Sequence, residues 1–174
     1  MSKYLAPINR RVMMAKQELQ ASLGDGLLPW QQEGHLDQAV FQLWFSCLYY
    51  VQELADHHKV KLAANQGLSL KAYLGESLDQ FQQQDAASGE LQELKGLVED
   101  TSSWLSGLDK AFSNFAEPKL DSPASQPQAS SSNNLGIPVV DLSTDTGLSP
   151  RTLDSWIKSF QQLAERHRNG MQEY

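Results

Sequence analysis

Disulfides are missing from this chain. Cys47 stands alone among 174 residues, so no bridge within the chain can form. It lies in an apolar run, where a thiol acts as a small core hydrophobe. Neither neighbouring bases nor a helix start activate it. Long apolar runs are missing as well. The longest, 39–51, includes Gln42 and Ser46 and falls short of the roughly 20 residues a membrane-spanning helix needs. The opening "MSKYLAPINRRVMMAK" is basic but holds no apolar run of signal-peptide length. A cytoplasmic protein without a membrane partner is the expectation. Bases are scarce, with 14 Lys and Arg against 21 Asp and Glu, a formal charge of −7. Nucleic-acid affinity comes mainly from Lys and Arg neutralising phosphates, so this balance argues against a nucleic-acid partner.

The motifs of common chemistry are absent too. The chain carries no G-x-x-x-x-G-K-[ST], no G-x-G-x-x-G and no G-x-S-x-G. "GDG" at 24–26 is turn chemistry, and "DLSTDTG" lacks the later Glu of a calcium loop. A carboxylate-bridged metal site in a bundle draws on Glu-x-x-His. The nearest pairs here are Glu53 with His57 at i+4 and Glu165 with His167 at i+2. A catalytic zinc needs three protein ligands. No catalytic residue, cofactor or metal is therefore expected.

What is present is helical periodicity almost throughout. Leu5, Ile8, Val12, Ala15, Leu19 and Leu23 recur at three or four residues. After "GDGLLP" a long helix is predicted from about Gln32 to Leu62. It is apolar nearly all round through Phe41, Trp44, Phe45, Tyr49 and Tyr50. Such a helix is buried on several sides, so it is predicted to be the central post. Ser69 caps a third helix to about Gln83, and "EDTSS" divides a short fourth from a longer fifth that Pro118 stops. Ser149 and Pro150 open the last, with Leu153, Trp156, Ile157, Phe160, Leu163, Ala164, His167 and Met171 along one face. That face is too apolar to leave in water, so the helix returns to the bundle or binds a partner.

The prediction is an all-α, single-domain bundle of about six helices. Residues 1–117 form its core. Residues 118–148 are a Pro- and Ser-rich flexible linker whose "LGIPVVDL" segment, 135–142, is extended. Residues 149–174 are an amphipathic helix packing back on the core.

Polar candidates are few. Adjacent helical residues diverge by about 100°, so His57 and His58 cannot share one metal. His58 joins the apolar stripe, and His57 joins Glu53 and Lys61 in a surface charge ladder, with Asp56 further towards solvent. His58 and His167 both lie on apolar stripes and could meet across the bundle. Residues 1–23 carry Lys3, Arg10, Arg11 and Lys16 against Glu18, while residues 24–100 carry twelve acids and four bases. Arg11 sits either on a solvated helix face or beside a small anion or loop, and Asn9 reads as a helix cap. Arg166 and Arg168 form a second basic patch, Arg168 neutralising a helix end.

Three stretches carry a family resemblance. "TLDSWIKSFQQLAERHRNGM" places Leu153, Trp156, Leu163, Arg166 and Gly170, "SSWLSGLDKAF" places Trp104, Leu105, Leu108, Ala111 and Phe112, and "NRRVMMAK" places Asn9 and Arg11. In their order and spacing the chain resembles a family of small all-helical proteins from gammaproteobacteria, a domain of unknown function. The resemblance implies a helical fold and names no activity. The expected role is a non-catalytic protein-interaction module, its partner another protein or a second copy of the chain. The alternative is a small-ligand binder or enzyme with a pocket inside the bundle.

Overall fold

The computed structural model describes residues 2–63, 67, 69–116 and 148–172. The expected linker lies outside them, with its segment 135–142, except for its last residue, Leu148, which packs against the core. The described residues form six helices: α1 (Leu5–Ala21), α2 (Pro29–His57), α3 (Leu70–Gln83), α4 (Gly89–Glu99), α5 (Trp104–Ala116) and α6 (Pro150–Gln172). The all-α bundle is as predicted.

Local chemistry sets most of the starts. Ser69, Ser88 and Ser149 each accept a hydrogen bond from the backbone N–H three residues on, at 3.3, 3.1 and 3.1 Å, which satisfies a donor the helix leaves free. Ser103 does the same for α5, accepting from Ser106 N–H at 3.1 Å. Pro29 and Pro150 occupy first helical positions, where a missing N–H costs nothing. α3 receives a second cap from far along the chain. The buried Asp109 carboxylate of α5 accepts Leu70 N–H at 2.7 Å and Trp44 Nε1–H at 3.0 Å on Oδ1. Its Oδ2 accepts the Ser69 hydroxyl and Lys71 N–H, both at 3.3 Å.

The predicted end of α2 is corrected. The helix stops at His57, not Leu62, and His58 is its C-cap. Lys59 takes the left-handed conformation at φ 60°. Lys59 N–H reaches Asp56 O at 3.2 Å and Val60 N–H reaches back to Ala55 O at 2.8 Å, closing a Schellman motif. Buried Val60 seals it. With no glycine at this position, the sequence carries no stop signal.

α2 is the central post, touching each of the other five helices. α1 lies antiparallel along it, burying Ile8, Val12, Ala15 and Leu19. On another side Trp44 stacks on Phe112 of α5, centroids 3.9 Å apart. α6 packs at home against α1, α2 and α5, burying Leu153, Ile157, Phe160, Leu163, Ala164 and His167. It runs antiparallel to α5 and parallel to α2. Trp156 lies against Gly107, Phe160 near Trp104 and Tyr50, and Arg168 against Glu53. Gly107 allows this close approach: a Cβ on it would lie 2.7 Å from the Trp156 ring, so the half-buried indole would have to shift. No helix among the described residues is long and apolar enough to cross a membrane.

Candidate functional site

The polar side chains of the bundle converge where the C-terminal part of α2 meets α4 and the end of α6. Tyr50, fully buried on α2, is hydrogen-bonded to Nδ1 of His167 at 2.8 Å. Nε2 of the same ring lies 2.9 Å from Oε2 of Glu93 on α4. A carboxylate only accepts, so Nε2 carries the proton, and in the neutral ring Nδ1 accepts from the phenol. Arg166 closes the chain by donating to the other Glu93 oxygen. One turn along α2, Glu53 is 5 % exposed. Arg168 grips it as a fork, Nη2 to Oε2 at 2.6 Å and Nε to Oε1 at 3.2 Å. The same guanidinium lies 5.7 Å from the Tyr50 ring centroid.

The electrostatics follow from this packing. Burial pushes the Tyr50 phenol far above its usual value; Arg168 opposes the shift, while Glu53, Glu90 and Glu93 add to it. The hydrogen bond from His167, then Arg166, holds the Glu93 carboxyl below the ordinary glutamate value despite partial burial. For Glu90 burial acts upward. Its own backbone N–H, the Ser88 hydroxyl, His58 and His167 outweigh burial and hold the group below its ordinary value.

Sequence-predicted residues are brought together selectively. Glu53 and His167 enter one cluster, joined through Tyr50 and Arg168. The surface ladder of Glu53, His57 and Lys61 does not exist. Glu53 is buried against α6, His57 is exposed, and Lys61 lies beyond the end of the helix. Asp56 is exposed as predicted and meets Lys3 at 2.6 Å. His58 sits at the core edge, its ring 5.6 Å from Phe81 and 5.2 Å from His57. Its Nε2 is buried without a hydrogen bond, 3.8 Å from Glu90 Oε2. His58 and His167 each have their own ring neighbours, and both act electrostatically on Glu90.

Asn9 is no cap. It is exposed within α1 and lines a cleft of about 350 Å³ between α1 and α6, together with Gln161, Glu165 and Asn169. Arg11 is half-buried and engaged by neighbouring side chains. It donates to Gln42 Oε1 at 2.9 Å and lies 5.0 and 5.2 Å from the Phe45 and Tyr49 ring centroids, joining α1 to α2. Arg166 and Arg168 form two separate ion pairs, not a patch.

Tyr50, Glu93 and Asp109 escape sequence reasoning. Tyr50 is hidden in an apolar run and Glu93 on what reads as a solvent face. Their partners lie 117 and 74 residues away, so no local spacing signals them. Among the described residues, no group of three or more His, Cys, Asp or Glu side chains is placed to hold a metal ion.

Within the cluster the polar groups hydrogen-bond to one another, and Arg168 also lines the α1–α6 cleft. Both His167 nitrogens, the Tyr50 hydroxyl and the Glu53 carboxylate are held by protein partners. General acid–base work needs one of these within hydrogen-bond reach of a substrate proton. Tyr50 and His167 do not line the α1–α6 cleft. The arrangement clamps α6 onto α2 and α4.

No curated protein and no solved structure matches this chain. A family model does match, over residues 31–174, and the chain belongs to that family, the family of unknown function DUF6586.

Proposed function

We propose that the protein is a non-catalytic interaction module that binds another protein through its bundle surface, without releasing its last helix. The supporting observation is where its side chains are used. The groups suited to chemistry are tied to one another, and the apolar stripe of α6 is buried at home. The large apolar side chains left in water gather on the α1–α2 hairpin, where Met13, Leu23, Leu28 and Trp30 are each more than half exposed. Single exposed apolar residues are ordinary, whereas several on one helical hairpin favour an interaction surface. A photo-crosslinking residue placed at 13, 23, 28 or 30 in the native cell tests this. Discrete adducts at these positions, and none at the exposed Gln82 of α3, support it; no adduct at any of the four sinks it.

The cleft between α1 and α6 favours a second reading, a small-ligand binder. Ile8, Val12, Phe160 and Ala164 supply apolar walls, and Asn9, Gln161 and Asn169 supply amides. A thermal-shift screen with nucleotides, metals and metabolites separates the two. A stabilisation at micromolar ligand that is lost in Asn9→Leu favours the cleft.

A further inference from the structure

The face of α2 that α5 covers continues beyond the end of α5. Residues 30, 33, 37, 41 and 44 recur at three and four positions and share this face. At its inner end Trp44 and Phe41 pack against Phe112, with centroids 3.9 and 6.3 Å away. α5 runs antiparallel to α2, so its C-terminal turn approaches the N-terminal half of α2. That turn carries Phe115, 42 % exposed and 6.4 Å from Phe112. The α2 face then runs on through Asp37 and Glu33 to Trp30, which is 64 % exposed.

Two carboxylates thus lie between exposed aromatic rings. Both are half-buried, and no hydrogen bond or cation among the described residues engages them. Burial, then the neighbouring Glu33, pushes the Asp37 carboxyl above its ordinary value. The fold therefore holds two like charges at a cost to itself, which a cation arriving on a partner would relieve.

We propose that Trp30, Glu33, Asp37 and Phe115 form a docking face for a basic amphipathic helix of a partner protein, its apolar side chains against the two rings and its Lys or Arg side chains against the two carboxylates. This rests on the interaction reading above and gives the partner its chemistry. Helix-in-groove recognition of this kind takes its anchors at helical spacing. Other occupants have the wrong charge. Residues 117–147 carry Glu117, Asp121, Asp141 and Asp145 against Lys119 alone. A second copy meeting face to face brings the same carboxylates to its own.

The test is fluorescence anisotropy of a labelled synthetic Leu/Lys amphipathic helix against the full chain, with a Leu/Glu helix as control. The Leu/Lys helix binds, and Trp30→Ala or Glu33→Lys/Asp37→Lys each weaken it by about tenfold. The neutral pair Glu33→Gln/Asp37→Asn weakens it less. Glu76→Lys/Asp79→Lys on α3 makes the same change in net charge at exposed positions and leaves binding within about threefold. Equal weakening by both reversals means general attraction to an acidic protein and overturns the proposal, as does equal binding of the Leu/Glu helix. A strong gain in affinity when 135–142 are replaced by Gly and Ser overturns it in favour of that segment. Self-association lost on Trp30→Ala overturns it in favour of a second copy. Crosslinks at 13 or 23 with no effect of the 33/37 reversal leave the interaction reading standing and remove this face from it.

Discussion

Substitution of Asp109 is the sharpest test of how the bundle is held. Its carboxylate caps α3 from α5 and receives the indole N–H of the central post. Asp109→Ala orphans two buried donors, Trp44 Nε1–H and Leu70 N–H. Each costs about 1–3 kcal/mol, and losing a negative charge at a helix N-terminus adds about 0.3–1 kcal/mol. A loss of about 3–5 kcal/mol is a large share of the roughly 5–15 kcal/mol that stabilises a domain. Asp109→Asn separates the contributions. Its retained oxygen still accepts from Trp44 and Leu70, but an amide now faces the Ser69 hydroxyl and Lys71 N–H. About half the loss is expected. Urea unfolding followed by circular dichroism reads both. With an m-value of about 2 kcal/mol/M, Asp109→Ala lowers the midpoint by about 2 M at unchanged slope. In a Trp44→Phe background the same change costs less, because one orphaned donor is already gone. A loss under about 1 kcal/mol for Asp109→Ala, or equal losses for Ala and Asn, refutes the cross-chain cap.

Other substitutions probe the remaining contacts. Gly107→Ala forces the Trp156 ring to move and lowers stability by about 1–3 kcal/mol. Gly96→Ala, with nothing within 4 Å of its new Cβ, raises it by about 0.5–1 kcal/mol; paired melting curves compare the two. Arg168→Ala leaves Glu53 buried and unpaired and costs about 3–5 kcal/mol, while the double change Glu53→Gln/Arg168→Gln costs clearly less; equal urea midpoints for the single and double variants count against the buried pair. The folded-state values of Glu90 and Glu93 are depressed below 4.5, so their stabilisation is present above the unfolded value and is lost as pH falls through the lower folded values. Glu93→Gln should flatten that acid limb in melts taken across mildly to strongly acidic buffers. Asp37 is shifted the other way, above 3.8, so its ionised form costs stability above its unfolded value and Asp37→Asn should raise the melting temperature at neutral pH.

Helix positions were legible because they rest on local signals. Ser69, Ser149 and Pro150 are start signals whose partners lie three residues away or none is needed, and the stripes of α1 and α6 are read by spacing alone. The end of α2 was not legible, because Lys59 occupies a left-handed position where glycine is the usual marker. The His57–His58 split held in direction, one residue at the core edge and one exposed, yet Glu53 went to the core instead of the surface. A carboxylate with a helical neighbour of opposite charge reads as solvated. What buried Glu53 is Arg168, 115 residues on, and no periodicity records such a pairing. Asn9 failed for a related reason: a residue that favours caps also tolerates an exposed position inside a helix.

The polar clamp on α6 also bears on why the last helix finds one position. An apolar stripe at three- and four-residue spacing is nearly unchanged when the helix slides by one turn, so Leu153, Ile157, Phe160 and Leu163 specify burial better than register. Three features break that degeneracy. The Trp156 ring lies where a Cβ on residue 107 would come within 2.7 Å, so in this register it faces a glycine. His167 needs the Tyr50 phenol on one side and Glu93 on the other. Arg168 needs Glu53 at fork distance. Buried ion pairs add little net stability relative to well-packed apolar groups, but a slipped register would leave Glu53 buried without Arg168, a penalty of about 3–5 kcal/mol. The His167–Tyr50–Glu93 and Glu53–Arg168 contacts are thus set against misplacement of α6.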